Sequence, residues 1–325
     1  CFCCFIHIGH QTAIVSTMMT LPYKGLSENL FARYNLLLLK NREAGENRMN
    51  VETEIDNLWR IPDALWVLIL PLLPPEPAKP KGGRPRIDPR RVMDGIFYHL
   101  RTGCQWKAIP RSLVAGSTAH DYFQAWQNAG VFYRLWHETL KIYDDQVGID
   151  WLWQALDGAM TKAPLGGETT GRNPTDRGKQ GVKRSLLTDG RGVPLAVAVE
   201  GAQRHDMKLV GATLYQIAIA RPEPCQEHPQ NLCLDKGYDY DQVRQLLAHW
   251  GYTAHIRSRG EEKQQKQDVP GYRARRWVVE RTHSWMNRFR ALLIRWDKKV
   301  DNYLALLHLA CAYLTLRAAT TFQAQ

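Results

Sequence analysis

The chain has 325 residues, 44% of them hydrophobic, so it can bury a substantial core and is not a disordered protein. Its 43 Lys and Arg against 32 Asp and Glu leave a formal charge of +11, and its seven cysteines lack the regular spacing of a secreted disulfide framework, which favours a reducing compartment. No apolar run approaches the roughly 20 residues of a membrane-spanning helix, so we expect a cytoplasmic protein with no membrane partner.

Residues 1–48 differ from the rest of the chain in composition and in apolar pattern. They open with a Cys- and His-rich stretch, and a helical pattern begins only after Met49. Cys3 and Cys4 are adjacent and no second pair follows at zinc-finger spacing, so we expect no zinc site. No basic residue precedes the apolar stretch, which disfavours a cleaved secretion signal. We expect residues 1–48 to be a non-native or disordered extension of the reading frame.

Residues 49–147 read as a helical domain. Apolar spacing predicts helices over 55–73, 89–101, 117–126 and 131–143. A stiff basic Pro- and Gly-rich linker at 74–88 cannot be regular structure but can lie along DNA phosphates through Arg84 and Arg86. Short helices among basic residues are compatible with a helix-turn-helix DNA-binding domain, and equally with a plain helical bundle.

The pattern changes to strands in residues 148–325. Strands are predicted over 151–156, 182–188, 193–199, 232–234 and 252–256, with helices over 206–220, 239–250 and 273–296. The second and third strands form a hairpin across the turn Asp189–Gly192. This order predicts an α/β domain with a mixed sheet flanked by helices, preceded by the small all-helical domain.

Three carboxylates suggest the chemistry. Asp157 and Asp235 each follow a short apolar run predicted to be a buried strand, and Glu280 lies on the polar face of the last predicted helix. The carboxyl ends of parallel strands meet at one sheet edge, so the two aspartates can converge there and the helix can bring in Glu280. Three converging carboxylates repel one another unless cations intervene. We expect them to bind Mg²⁺, or Mn²⁺, as a pair of ions able to cut a phosphodiester.

The charge distribution points to the same substrate. Residues 255–299 hold 13 basic and 5 acidic side chains, so most of the net positive charge lies around Glu280 and can attract nucleic acid. A solvated basic helix is the alternative.

Each carboxylate also has a structural interpretation. Asp157 can cap the turn at Gly158, Asp235 can form an Asx-turn, and Glu280 can pair with Arg276. Nearby, His205 and Asp206 fit a helix cap better than a catalytic role. Core packing is likewise favoured for Trp285 over stacking on a displaced base.

Several blocks resemble the DDE transposases of bacterial insertion sequences, in the family numbered five. They match in motif, order and spacing from about Leu58 to Arg317. The blocks are Gly83–Arg86, Ile96–Trp106, Asp157–Met160, Gly178–Leu195, Arg204–Asp206, Leu234–Asp239 and Trp277–Arg290. The resemblance implies an RNase H-like catalytic fold and places the catalytic and metal-binding triad at Asp157, Asp235 and Glu280.

The same resemblance implies a transposase. Such an enzyme binds double-stranded DNA at the terminal inverted repeats of its element, cuts there, and joins the freed 3′ hydroxyl to target DNA. Bringing two ends together favours a homodimer, and the implied location is the bacterial cytoplasm at the nucleoid. Two alternatives stay open: a catalytically inactive or domesticated DNA-binding protein, and an RNase H-like structure-selective nuclease that joins nothing.

The matched blocks also supply candidate contacts to DNA. Besides the two linker arginines, these are Lys183, Arg184, Lys236, Arg276, Arg281 and Arg288. The family shows a Tyr, Arg, Glu, Lys pattern around its glutamate, whereas here Tyr272 stands one position early and Asn287 occupies the lysine position. The basic residue that takes the lysine's role is therefore open.

Overall fold

The computed structural model describes residues 59–76, 82, 85–257 and 275–322. The predictions for residues 1–58, for Arg84, for Tyr272 and for the first two residues of the helix predicted over 273–296 lie outside the described residues.

The N-terminal part is helical, as predicted. Its helices are α1 (Asp63–Ile69), continued by a 3₁₀ turn, α2 (Pro89–Thr102), α3 (Gly116–Asn128) and α4 (Val131–Val147). The start of α2 is capped by Asp88, whose carboxylate accepts the Arg90 backbone N–H at 2.9 Å. Its end is set by Gly103, which adopts φ +66°. Helix α3 begins at Gly116, one residue before its predicted start.

A six-stranded mixed sheet forms the centre of the second half. Its strands are β1 (Trp153–Lys162), β2 (Gly171–Arg172), β3 (Gln180–Asp189), β4 (Pro194–Gly201), β5 (Gln230–Asp235) and β6 (Tyr252–Arg257). The spatial order is β4-β3-β1-β5-β6, with the short β2 also on β3. Strands β3 and β4 are antiparallel to their neighbours, whereas β5 and β6 run parallel to β1. This RNase H-like arrangement confirms the predicted mixed sheet flanked by helices.

The helices of this half depart from prediction in length. They are α5 (Leu209–Leu214), α6 (Asp241–His249), α7 (Trp277–Met286), α8 (Arg290–Leu293) and α9 (Val300–Phe322). The long helix predicted over 273–296 is wrong. It is broken where Phe289, buried in the core, takes an extended conformation at φ −86° and ψ 98°. The helix predicted over 206–220 is also too long, since only a 3₁₀ turn and α5 form there.

The C-terminal helix α9 has no counterpart among the predicted elements. It is long and apolar enough to cross a bilayer by length and composition, which corrects the expectation that no such run exists. Yet 61% of its most apolar window is buried inside the protein, and it lies along α4. A helix that is apolar on most sides is typical of a protein core. The side chain of Gln124 on α3 donates to Asn302 at 2.9 Å, which fixes the start of α9 against the helical region.

Candidate active site

Asp157 and Asp235 occupy equivalent positions on two neighbouring parallel strands. The parallel pairing of β1 with β5 ends at Ala155 and Cys233, and each aspartate follows two residues later. Side chains two residues apart share one face of a strand, so both carboxylates emerge on the same face where the pairing stops. Asp235 ends β5 as predicted. Asp157 lies within its strand and not at its end, because β1 continues to Lys162 against β3.

Glu280 lies on α7, which crosses the sheet beside Asp157. The buried hydroxyl of Thr282 donates to the Gly192 carbonyl at 2.7 Å, which fixes the helix to the β3–β4 turn. His283 Nε2 lies 3.3 Å from the carbonyl oxygen of Asp157. Helix α7, which carries Glu280, therefore contacts Asp157 directly.

Arg276 connects the second and third acids. Its guanidinium forms an ion pair with Asp235, and its Nε lies 3.8 Å from the Glu280 carboxylate one helical turn later. The Arg276 side chain is only 11% exposed, so its contact with Asp235 is well shielded from water. One cation thus stands between two carboxylates that would otherwise repel each other.

The electrostatics of Asp157 reflect this cluster. The pKa of the Asp157 carboxyl is raised to about 6, and burial is the largest cause. The negative charges of Glu280, Asp235 and Asp206 act in the same direction, while a hydrogen bond from the Gly158 N–H opposes them. Burial also raises the pKa of the Tyr238 hydroxyl, helped by the three nearby aspartates. Three other acids therefore lie close enough to Asp157 to help raise its pKa.

This donor set suits a divalent cation. Carboxylate oxygens are the ligands that Mg²⁺ and Mn²⁺ take in proteins, and the excess negative charge around Asp157 is what such an ion would neutralise. Within the described residues, no three His, Cys, Asp or Glu side chains already form a metal-binding cluster. Arg276 pairs with Asp235 and lies beside Glu280, the second and third of the acids.

Comparisons with known proteins cover both halves of the chain. Residues 61–136 match a family described as a transposase of the IS4/5 family, and residues 154–315 match the transposase DDE domain. A transposase for insertion sequence element IS402 of Burkholderia cepacia is 37% identical over 157 residues, which cover 46% of this chain and 71% of that protein. The chain belongs to the DDE transposases of insertion sequences.

Further similarities are weaker. An uncharacterized 16.2 kDa protein of the IS402 element from Burkholderia cepacia is 36% identical over 118 residues, 35% of this chain and 80% of that protein. Among solved structures, the Mos1 mariner paired-end complex with Mn is 12% identical, with a TM-score of 0.25 over 92% of this chain and 98% of that one. A pre-cleavage Mos1 transpososome gives 10% and 0.23 over the same shares. The order and directions of the strands define the fold of this chain.

Family membership makes this transposase a DNA-cleaving and strand-transferring enzyme whose chemistry depends on a divalent metal. The structure also places a fourth acid beside Asp157. Asp206, interpreted from the sequence as part of a helix cap, lies beside Gly158 and adds to the negative charge around Asp157. The capping side chain of that turn is His205, which accepts the Met207 N–H at 3.4 Å. Only strand pairing over long sequence distances places Asp206 there, so no local pattern marked it.

Two residues predicted to contact DNA are buried and paired inside the protein. Lys183 is 5% exposed, and its ammonium donates to Asp206 at 2.9 Å and to the Arg204 carbonyl at 2.8 Å. Arg184 is 1% exposed and donates to the Asn287 side chain at 2.8 Å. Both lie in β3, which is buried along nearly its whole length between β1 and β4 and under helices. They neutralise and position groups inside the protein.

Four of the other predicted DNA contacts fall into two groups. Lys236 and Arg288 are exposed, and each lies near the acids in sequence, so both stay available to DNA. Arg86 pairs with Glu76 at 2.8 Å, and Arg276 pairs with Asp235.

Arg281 has a local role that the sequence did not indicate. Its guanidinium lies between the rings of Trp277 and Trp285, 4.4 and 4.6 Å from their centroids, and donates to the Arg191 carbonyl at 2.5 Å. Trp285 is half-buried and packs against Arg281. The sequence had favoured a position in the core for this side chain.

The structural interpretations of the acids also have counterparts. Asp157 accepts the Gly158 N–H at 2.8 Å, and Asp235 accepts the Lys236 N–H at 2.7 Å. Each aspartate thus has one oxygen held by its own backbone turn. This fixes the side-chain direction and leaves the second oxygen for another partner.

Proposed function

We propose that this transposase binds the terminal inverted repeats of its own insertion sequence, cuts the DNA there, and joins the freed 3′ hydroxyl to target DNA. The observation that carries the proposal is the equivalent placement of Asp157 and Asp235 on adjacent parallel strands, with Glu280 on a helix that contacts β1. Membership of the DDE transposases supports it.

Asp157, Asp235 and Glu280 would hold the metal, which we propose to be two Mg²⁺ or Mn²⁺ ions. When bound, such ions activate the attacking oxygen and stabilise the leaving oxygen of an in-line displacement. The half-buried carboxyl of Asp157 is held by its backbone turn, so its free oxygen is preorganised. Arg276 offsets the repulsion between the other two acids and holds α7 near the strand ends.

The positive charge around these acids has a role in binding. Lys236 follows Asp235 directly and is exposed, so it can contact the phosphates on either side of the bond to be cut. Because such contacts read no base sequence, recognition of the repeats is assigned to the helical region of α1 to α4. Joining two element ends requires two active sites, so we propose a homodimer in the synaptic complex, working at the nucleoid in the bacterial cytoplasm.

The experiment uses a plasmid that carries the element with its flanking DNA. With Mg²⁺ present, the unmodified protein should release the element ends, and Asp157→Asn should abolish cutting while end binding in a gel-shift assay persists. Asp239→Asn is the matched control, because this aspartate is exposed and pairs with Arg244 at 2.8 Å. Full cutting by Asp157→Asn would reject the site.

Pre-cut ends separate a transposase from a nuclease. Supplied with duplexes that already end in a 3′ hydroxyl, the protein should insert them into a target plasmid. A chain that cuts but forms no joined product would be a nuclease with the same fold.

A further inference from the structure

A pocket lies where the end of α2 meets the turn between α7 and α8, and none of the three acids lines it. It has a volume of about 200 Å³ and is lined by Trp59, Arg101, Thr102, Arg288 and Arg290. We call it the arginine pocket. It is built by close backbone contact, because a side chain at Gly103 would come within 2.9 Å of the Arg290 backbone. Two segments far apart in sequence therefore meet here tightly.

Among the residues that the structure describes, no acidic side chain neutralises the three arginines of the pocket. Across the described part of the chain, none of them donates a hydrogen bond from its guanidinium or forms an ion pair, and no acid lines the pocket. Arg101 lies over the Phe289 ring at 5.5 Å, which positions it without neutralising it. Like charges held together repel one another, and an anion relieves that repulsion.

The chemistry of the lining selects the anion. The planar guanidinium of arginine donates two parallel hydrogen bonds to a phosphate, and three such groups around one pocket suit a phosphodiester. Trp59 is 38% exposed and forms an apolar wall, against which a deoxyribose or base can lie.

We propose that the arginine pocket binds a backbone phosphate of the DNA strand that passes through the active site. This inference rests on the proposed function. Arg288 lies two residues beyond the end of α7, and the six-residue step from Glu280 to Met286 is about 9 Å along that helix. At the rise of B-DNA this distance corresponds to roughly three nucleotides. Because Arg101 belongs to the helical region and Arg288 follows α7, one strand would hold both parts of the transposase together.

The test measures binding of a fluorescently labelled duplex of arbitrary sequence by the full chain over a range of NaCl concentrations. Each phosphate that a variant no longer neutralises should reduce the slope of log K against log salt by about 0.9. The double variant Arg288→Gln, Arg290→Gln should therefore lower the slope by at least about 0.9. Arg317→Gln, an exposed arginine on α9, is the matched control and should leave the slope unchanged. A double variant with the unmodified slope would overturn the inference.

Two further variants separate charge from fold. Arg288→Lys with Arg290→Lys keeps both charges and should restore most of the slope. Trp59→Ala should weaken binding at every salt concentration with no change in slope. A fall in slope in Arg317→Gln equal to that of the double variant would show a general charge effect and overturn the pocket.

Cutting of the element ends is scored separately. If the unmodified protein cuts and the slope does not respond, only the pocket inference fails. If the slope responds but no cutting occurs, the pocket stands as a DNA contact and the proposed function fails.

Discussion

Gly158 shows how closely single residues surround the acids. A Cβ at this position would lie 2.4 Å from Asp206 Oδ1 and 3.4 Å from the Tyr238 hydroxyl. Asp206 cannot move without leaving the buried ammonium of Lys183, with which it pairs at 2.9 Å. The space at this position therefore accommodates only a glycine.

Replacing Gly158 with Ala should destabilise the fold by about 1–3 kcal/mol, because the added methyl displaces Asp206 from its ion pair. DNA cutting should fall with it. Gly237→Ala is the matched control beside Asp235, since nothing lies within 4 Å of its Cβ position. Thermal unfolding measures both variants. Equal melting temperatures for the two would contradict the steric argument.

His99 is a buried residue whose protonation affects stability. Its ring stacks on Trp106 with centroids 4.1 Å apart, and Nδ1 lies 2.7 Å from the Cys104 carbonyl. Burial lowers the pKa of His99 to about 4, helped by nearby His120 and opposed by the bond to Cys104. The unfolded chain takes up this proton near pH 6.5 and the folded chain only near pH 4, so stability falls as the pH drops through this window.

His99→Asn should remove that pH dependence. Between pH 7 and pH 5, His99 should reduce the free energy of unfolding of the unmodified protein by about 2 kcal/mol. The variant lacks this contribution, so its free energy of unfolding should fall by about 2 kcal/mol less over the same pH range. Urea unfolding at the two pH values gives the comparison. His249→Asn, at an exposed histidine of α6, should behave like the unmodified protein. If His99→Asn loses as much stability as the unmodified protein, the histidine is not responsible.

At the scale of elements, α7 positions Glu280, and its attachment to the β3–β4 turn decides where the acid lies. Thr282 is fully buried and donates to the Gly192 carbonyl at 2.7 Å. A carbonyl left without a donor in such a place costs free energy comparable to a lost hydrogen bond.

Thr282→Val keeps the shape of the side chain and removes the donor. We expect a loss of about 1–3 kcal/mol in stability and reduced cutting, because α7 loses its attachment next to Glu280. Ser284→Ala removes a hydroxyl from the same helix, but from an exposed one that bonds the Glu280 carbonyl at 3.2 Å. Its effect should stay within about 0.5 kcal/mol. Similar losses in the two variants, by urea unfolding, would show that the hydrogen bond to Gly192 is unimportant.

Elements with a clear period could be predicted, and those without one could not. The β3–β4 hairpin, β5 and α2 have alternating, continuous or helical apolar patterns between turn signals, and the structure confirms them. Helix α9 is apolar on most sides, so it lacks the one-sided stripe that reveals a surface helix. The break at Phe289 has no Gly or Pro to announce it, because burial of that ring in the core imposes it.

The site shows the same division. The predicted strand ends single out Asp157 and Asp235 as candidates, and the polar face of a predicted basic helix singles out Glu280. They do not reveal that Lys183 and Arg184 are buried, since exposure of β3 depends on what covers it from distant parts of the chain. Asp206 was assigned to a cap for the same reason.

At the scale of the whole molecule, the helical region and the sheet are joined by buried contacts. Trp136 of α4 is 1% exposed and donates its indole N–H to the Pro194 carbonyl of β4 at 3.2 Å. Helix α9 lies along α4 and also contacts β4. The three acids are separated by up to 123 positions in sequence, and they lie on β1, β5 and α7, of which β1 contacts the other two.

Binding of Mn²⁺ to the complex with element-end DNA, followed by electron paramagnetic resonance, tests the central claim most directly. Asp157→Asn, Asp235→Asn and Glu280→Gln should each lose bound Mn²⁺, whereas Asp239→Asn should bind as the unmodified protein does. Undiminished Mn²⁺ binding by Glu280→Gln would contradict the claim that the three acids form one metal centre.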